Sequence, residues 1–153
     1  MSSLELRVPP LAVVAVAAAL MALIAWAFPV AEFRFRPPLA LAGAMVGLGA
    51  AIAAAGVLAF RRARTTVNPM TPDASSSMVS TGIYRLTRNP MYLGFLLALV
   101  GWALMLGTLL ALLPVALYVG YMNRFQIVPE ERALRGKFGA DYDAYASRVR
   151  RWF

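Results

Sequence analysis

Hydrophobic residues in this chain run in long unbroken blocks. They show neither the strict alternation of a half-buried strand nor the one-sided stripe of a surface helix. One block covers about 10–30, a second 39–60 and a third 91–122. The first two are each near the ~20 residues that cross a ~30 Å hydrocarbon core as a helix. The third would be roughly 48 Å long as one straight helix, too long for a single crossing. Leu106, Gly107 and Thr108 fall near its middle. It is therefore predicted to fold back as a hairpin of two short spans, about 91–106 and 108–123, with Pro114 kinking the second arm. Pro37 and Pro38 suit the start of the second span. The pattern predicts an all-α fold: a polytopic integral membrane protein of about four transmembrane helices in a single membrane domain. A loop at 61–90 and a tail at 125–153 lie outside the spans.

Within this frame the tail reads as one or two short amphipathic helices. Leu134 and Phe138 share one face, Tyr142, Tyr145 and Val149 another, and Gly139 breaks between them. Gly43 and Gly47 in the second span form a small-xxx-small pair expected to admit a neighbouring helix of the same chain. The loop, with Pro69, Pro72, Gly82 and the serines at 75–77, is longer than a connector needs to be.

Composition agrees with a lipid environment: 61% of residues are hydrophobic and 14% charged, against about half and a quarter in soluble domains. Of the 15 Lys and Arg residues, all but Arg34 and Arg36 fall on the side that holds both termini, the 61–90 loop and the tail. The positive-inside rule makes that side cytoplasmic, as in a multi-pass protein of a bacterial inner membrane. Glu5 and Arg7 precede a first block of spanning length with no clear cleavage site, unlike a removable signal.

The net charge of +8 flanks apolar spans, which fits an anionic lipid surface better than nucleic acid. Cys and His are absent. That excludes thiolate nucleophiles, disulfides, Cys/His metal centres and the usual neutral-pH base. The spans carry no Asp, Glu, Lys or Arg, which argues against an ion-coupled transporter.

Two polar constellations remain. One leads into the third span: Gly82-Ile83-Tyr84-Arg85-Leu86-Thr87-Arg88-Asn89-Pro90-Met91-Tyr92-Leu93-Gly94. The other, Pro129-Glu130-Glu131, follows the fourth. A hairpin returns its two ends to one place, so residues 88–92 are expected beside Glu130 and Glu131. Taken singly, the arginines and tyrosines also suit membrane anchoring, and Pro129 with two acids suits a helix first turn.

Ser80-Thr81-Gly82-Ile83-Tyr84, Arg88-Asn89-Pro90-Met91-Tyr92-Leu93-Gly94, Glu130-Glu131, and Phe138-Gly139 with Tyr142 and Tyr145 resemble the isoprenylcysteine carboxyl methyltransferase family. That group of membrane methyltransferases includes phospholipid N-methyltransferases. The resemblance covers about 64–152. It implies an enzyme using S-adenosyl-L-methionine on a lipophilic or membrane-partitioned small-molecule acceptor bearing a carboxylate, thiol or amine. By the resemblance, Ser77, Met78, Val79 and Tyr84 line one wall of the cofactor site. Asn89, Pro90, Met91 and Tyr92 form the other, and Glu130 binds the polar end.

Those residue types fit the ligand. A carboxylate pairs with the cofactor's ammonium, tyrosine faces attract its sulfonium, and Arg88 suits its carboxylate. Tyr92, Glu131 and Arg124 are candidates for positioning the reactants. Two positions depart from the family's eukaryotic pattern: Asn89 stands where those members have His, and Gln126 where they have a substrate-holding Arg. A non-catalytic membrane scaffold or lipid-binding protein of the same fold is the alternative reading.

Overall fold

The computed structural model describes residues 4–28, 38–64, 70 and 77–153. The connection carrying Glu32, Arg34, Arg36 and Pro37, and the loop positions Pro69, Pro72 and Ser75, lie outside them. The described chain is built from helices. α1 spans Pro10–Ala27, α2 Leu39–Arg62, α3 Pro90–Leu106, α4 Leu112–Tyr121, α5 Val128–Phe138 and α6 Ala140–Arg148. Single 3-10 turns at Gly82–Arg85 and Leu109–Ala111 precede α3 and α4.

α1 and α2 open where proline allows. Pro10 occupies the first turn of α1, and Pro38 caps α2, so the missing N–H falls among groups that lack an intrahelical partner anyway. Both helices are long and apolar enough to cross a membrane, and only 17% of either is buried inside the protein. A soluble core helix would be mostly covered. Here Leu11, Val16, Leu23 and Trp26 on α1, and Leu41, Leu48 and Leu58 on α2, face outward. An apolar exterior of this extent requires lipid, and the fold is that of an all-α membrane protein.

α3 is the central element. It packs along α2 on one side and against α1 and α4 on the other. The α2–α3 seam is made of small residues spaced by seven on α2: Ala42 faces Gly101, Gly49 faces Gly94, and Gly56 faces Pro90 and Met91. A Cβ on Gly49 would collide with the Gly94 carbonyl, and one on Gly94 with the Gly49 carbonyl. A Cβ on Gly101 would lie 2.8 Å from the Ala42 carbonyl. In lipid, such close backbone approach gives the packing that holds helices together. Gly43 and Gly47 are not part of this seam, and a Cβ at either would meet nothing within 4 Å. In a helix this rich in Ala and Gly, hydropathy does not distinguish the packed face from the lipid face.

On the other side of α3, Met21, Leu99, Ala103, Ala111, Val115 and Tyr118 form the core. Trp102 Nε1 ties α3 to α1 by donating to the Ala18 carbonyl at 3.2 Å. The predicted hairpin is present. Gly107 ends α3 in the left-handed conformation, φ +68°, where glycine carries no steric penalty.

The second arm does not stop at Arg124. α4 passes through a π-helical turn, Met122–Ile127, directly into α5. Pro129 explains the widened turn. Its ring crowds the carbonyl four residues back and its nitrogen has no hydrogen to donate. Gly139, at φ +51° and ψ −124°, makes the break between α5 and α6. Tyr142, Tyr145 and Val149 then bury together against Met78, Leu134 and Phe138.

Candidate functional site

The polar end of the bundle gathers the start of α3, the π turn, α5, α6 and the C-terminal residues. The two ends of the hairpin meet there. Tyr92, in the first turn of α3, donates its hydroxyl proton to Glu130 Oε1 on α5. Gln126 Nε2 donates to the same oxygen at 2.7 Å. Tyr118 in turn donates to the Tyr92 carbonyl at 3.1 Å, which fixes α4 against the turn of α3 that carries the site.

Glu130 is partly buried, and its protein surroundings push its carboxyl up to about 7. Loss of water is the main cause. The hydrogen bonds from Tyr92 and Gln126 oppose it, and the neighbouring Glu131 charge adds to it. Burial likewise raises the Tyr84 hydroxyl well above its ordinary range, with Tyr145 and Glu130 adding to the effect.

Glu131 faces a different set of partners. Arg151 grips it with two bonds, Nε to Oε1 at 3.0 Å and Nη2 to Oε2 at 2.8 Å. Arg88 Nη2 lies 3.1 Å from Glu131 Oε1. Backbone and side-chain bonds zip the same two segments together. Arg88 N–H donates to the Arg150 carbonyl at 2.9 Å. Thr87 Oγ1 and Asn89 Nδ2 both donate to the Arg151 carbonyl, at 3.2 and 2.9 Å. Trp152 Nε1 donates to Asn123 Oδ1 at 3.1 Å. The C-terminal residues thus form a strap over the loop that precedes α3.

Arg88 has one bond to spare. Its Nη1 donates to the Ala146 carbonyl at 3.3 Å, while its buried Nε has no partner among the described residues. A buried donor left open suits an anionic oxygen of a bound molecule. With Glu130 as a carboxylate and Tyr84 and Tyr92 as aromatic faces, the donor set fits a ligand carrying an ammonium, a carboxylate and a sulfonium.

The other sequence-derived candidates take varied positions. Val79 and Tyr84 are buried. Tyr84 stands edge-on to Phe60 at 5.4 Å, and its carbonyl accepts from Tyr145 at 2.8 Å. Met78 packs beneath α6. Ser77 Oγ donates back to the Ala63 carbonyl at 3.4 Å. Pro90 and Met91 lie against Gly56 of α2, so their side chains contribute to the helix seam.

Arg124 does not face Glu130. It pairs with Glu5 at 3.2 Å. It also stands two positions before Gln126, on the far side of the helix. Three participants went unforeseen: Gln126 as a partner of Glu130, Arg151 as a partner of Glu131, and Thr87. The carboxylate pair signalled a need for compensating partners, Gln126 stood out as a departure from the related pattern, and nothing in the sequence marked Thr87.

Helices with lipid-facing exteriors, and polar chemistry held at one end of a hairpin, define the class: an all-α membrane protein with its side-chain network gathered at one end of the helices. The chain belongs to the phospholipid methyltransferase family, whose model matches residues 38–141. A probable protein-S-isoprenylcysteine O-methyltransferase of Oryza sativa subsp. indica is 33% identical over 105 residues, 69% of this chain and 55% of the relative. Protein-S-isoprenylcysteine O-methyltransferase B of Arabidopsis thaliana is 30% identical over the same length, 53% of that relative. An uncharacterized protein of Haemophilus influenzae is 48% identical over 62 residues, 40% of this chain and 98% of the relative. The chain spans about half the length of the plant methyltransferases that it matches. No solved structure matches it. The resemblance read from the motifs is therefore borne out at the level of the family.

Proposed function

We propose that this protein is a membrane-embedded methyltransferase that uses S-adenosyl-L-methionine and methylates a lipophilic acceptor. The observation that carries the reading is the cluster of Tyr92, Gln126 and Glu130 at the mouth of the hairpin; Arg88, on the segment leading into α3, pairs with the adjacent Glu131 and keeps a buried Nε without a partner among the described residues. Glu130 takes the ammonium of the methyl donor and Arg88 Nε its carboxylate. Tyr84 and Tyr92 present their faces to its positive charge. Ser77, Met78 and Val79 complete one wall, and the backbone of residues 89–92 the other. When bound, the cofactor supplies an electrophilic methyl group. The chain's own task is to hold the acceptor atom in line behind that methyl and to exclude water, which alone can contribute several kcal/mol.

The acceptor is a membrane-partitioned small molecule or a membrane lipid that approaches from the apolar side of the hairpin. Carboxylate, thiol and amine acceptors all suit this geometry. The commitment of Gln126 to Glu130 favours a neutral thiol or an amine, because the position gives no cation to an anionic head. The proposal extends to a single multi-pass domain, with both termini on the cytoplasmic face of a bacterial inner membrane, where the arginines cluster.

Isothermal titration of purified protein with S-adenosylhomocysteine tests this reading. Saturable binding at one site is expected. A folded protein that binds none would leave a non-catalytic scaffold of the same fold.

The raised carboxyl of Glu130 gives the binding a pH dependence. In the free protein it titrates near 7, whereas pairing with an ammonium favours the ionised form and lowers that value. Binding below pH 7 must therefore expel a proton. Affinity is expected to be flat above about pH 8 and to fall by up to about tenfold per unit below pH 7. The groups facing Glu130 are Tyr92, Gln126, Tyr84 and Glu131. Titration at pH 6 in buffers of different ionisation enthalpy measures the released proton directly. Constant affinity from pH 6 to 8 would mean that Glu130 is not the ammonium's partner.

A further inference from the structure

Among the described residues, the ion-paired acid with the most deeply buried side chain is far from the polar cluster in sequence. Glu5 precedes α1, and its side chain is only 3% exposed. Its Oε1 lies 3.2 Å from Arg124 Nη1 and its Oε2 3.3 Å from Arg132 Nη1. Both arginines are more than half exposed. The carboxylate therefore sits beneath two guanidinium groups that reach over it. Arg124 belongs to the π turn and Arg132 to α5 beyond it, so the one acid bridges the irregular stretch of helix.

A second contact falls at the same place. Leu6 N–H donates to the Phe125 carbonyl at 3.0 Å. In a regular α-helix that carbonyl would receive the N–H of residue 129, which is Pro129 and has none. Leu6 supplies the donor that the proline withholds. It does so from the left-handed region, φ +57°, a conformation that leucine keeps only where its surroundings hold it. Two independent interactions thus join residues 5 and 6 to the helix on either side of Pro129.

The opposite side of this helix carries the candidate site. Gln126 lies inside the π turn and Glu130 one residue beyond Pro129, and they bond to one another and to Tyr92 on α3. A π turn has a wider hydrogen-bond ladder than an α-helix and is a rare, single-turn departure from it. Any change in its winding rotates Gln126 relative to Glu130 and moves both relative to Tyr92.

We propose that Glu5 is a positioning residue of this site: with the Leu6 N–H it splints the helix across Pro129 and so holds Gln126 and Glu130 against Tyr92. Its importance for methyl transfer rests on the reading of Glu130 as the cofactor's ligand. Its effect on geometry does not.

The test uses the full chain in lipid nanodiscs. Glu5→Gln removes the charge and keeps the shape. Arg132→Gln removes one arm and leaves the Arg124 pair, should Glu5→Gln fail to fold. Arg7→Gln, an exposed charge in the same turn, is the control. Without any cofactor, the Glu130 carboxyl followed by carbon-13 NMR is expected to titrate lower in Glu5→Gln than in wild type, because the access of water, which removes the largest upward influence, outweighs the loss of the Tyr92 and Gln126 bonds. Amides of residues 126–131 should exchange with deuterium at least about tenfold faster, while those of the α2–α3 seam stay unchanged. Affinity for S-adenosylhomocysteine should fall about tenfold, with Arg7→Gln matching wild type. A wild-type titration of Glu130 and wild-type exchange in folded Glu5→Gln would overturn the inference. Wild-type protein that binds no S-adenosylhomocysteine would overturn the proposed function instead, and the NMR titration would still decide the role of Glu5.

Discussion

Glu130→Gln is expected to weaken S-adenosylhomocysteine binding by roughly a hundredfold while the protein remains folded. The substitution preserves volume, and the new amide oxygen can still accept from Tyr92 and Gln126, the two donors that converge on Oε1. What it removes is the negative charge. Leaving an ammonium in a partly buried site without its charge-assisted partner costs up to about 3 kcal/mol, which corresponds to the stated factor. Replacement also abolishes the pH dependence of binding, because the group that titrates near 7 is gone. Loss of affinity together with an unchanged pH profile would assign the titration to another group. Unchanged affinity would remove Glu130 from the site altogether.

Gly94→Leu is expected to destroy the fold. The reason is separate from the chemistry, although Gly94 lies within the motif that leads into α3. Even a single Cβ at Gly94 would clash with the Gly49 carbonyl and lie 2.8 Å from Ala53 N. Backbone atoms cannot turn aside as a flexible side chain can. α2 and α3 would have to separate along a seam that is the main attachment of α2 to the rest of the molecule. The loss is expected to exceed about 3 kcal/mol, seen as aggregation or as a large fall in the unfolding temperature in detergent. Gly47→Leu provides the contrast. Nothing lies within 4 Å of a Cβ there, so the added side chain meets only lipid and the unfolding temperature should stay near that of wild type. Equal tolerance at both positions would contradict the helix pairing described.

These two sites also show where the sequence was legible and where it was not. Hydropathy and length fixed the hairpin, because a block of about 32 apolar residues is incompatible with one crossing and Gly107 offers the turn. Once the block folds back, the approach of Tyr92 to Glu130 follows from connectivity alone. The seven-residue spacing of Gly49, Gly56, Gly94 and Gly101 is present in the sequence. Gly43 and Gly47 offered an equally good pattern, however, and only packing selects between two faces of similar composition.

Pro129 with its two acids stands in the first turn of α5, as its residue types suggest. α5 does not begin afresh, however: it continues α4 through a π turn, with the Leu6 N–H donating to the Phe125 carbonyl and the Glu5 carboxylate accepting from Arg124 and Arg132 on the outer side. Glu5 and Arg124 are separated by 119 positions, and Arg151 and Glu131 by 20. Charge complementarity marks such groups as needing partners without saying which. Gln126 was legible as a departure from a related pattern, but its bond to Glu130 depends on the winding of the π turn.

The most direct test of the central claim is a density map of the protein in nanodiscs with S-adenosylhomocysteine bound. The nucleoside is expected beside Tyr92, with the ligand's amino group in hydrogen-bonding distance of Glu130 and its carboxylate at Arg88 Nε. A ligand seated anywhere that leaves Tyr92 and Glu130 bonded only to each other and to Gln126 would contradict it.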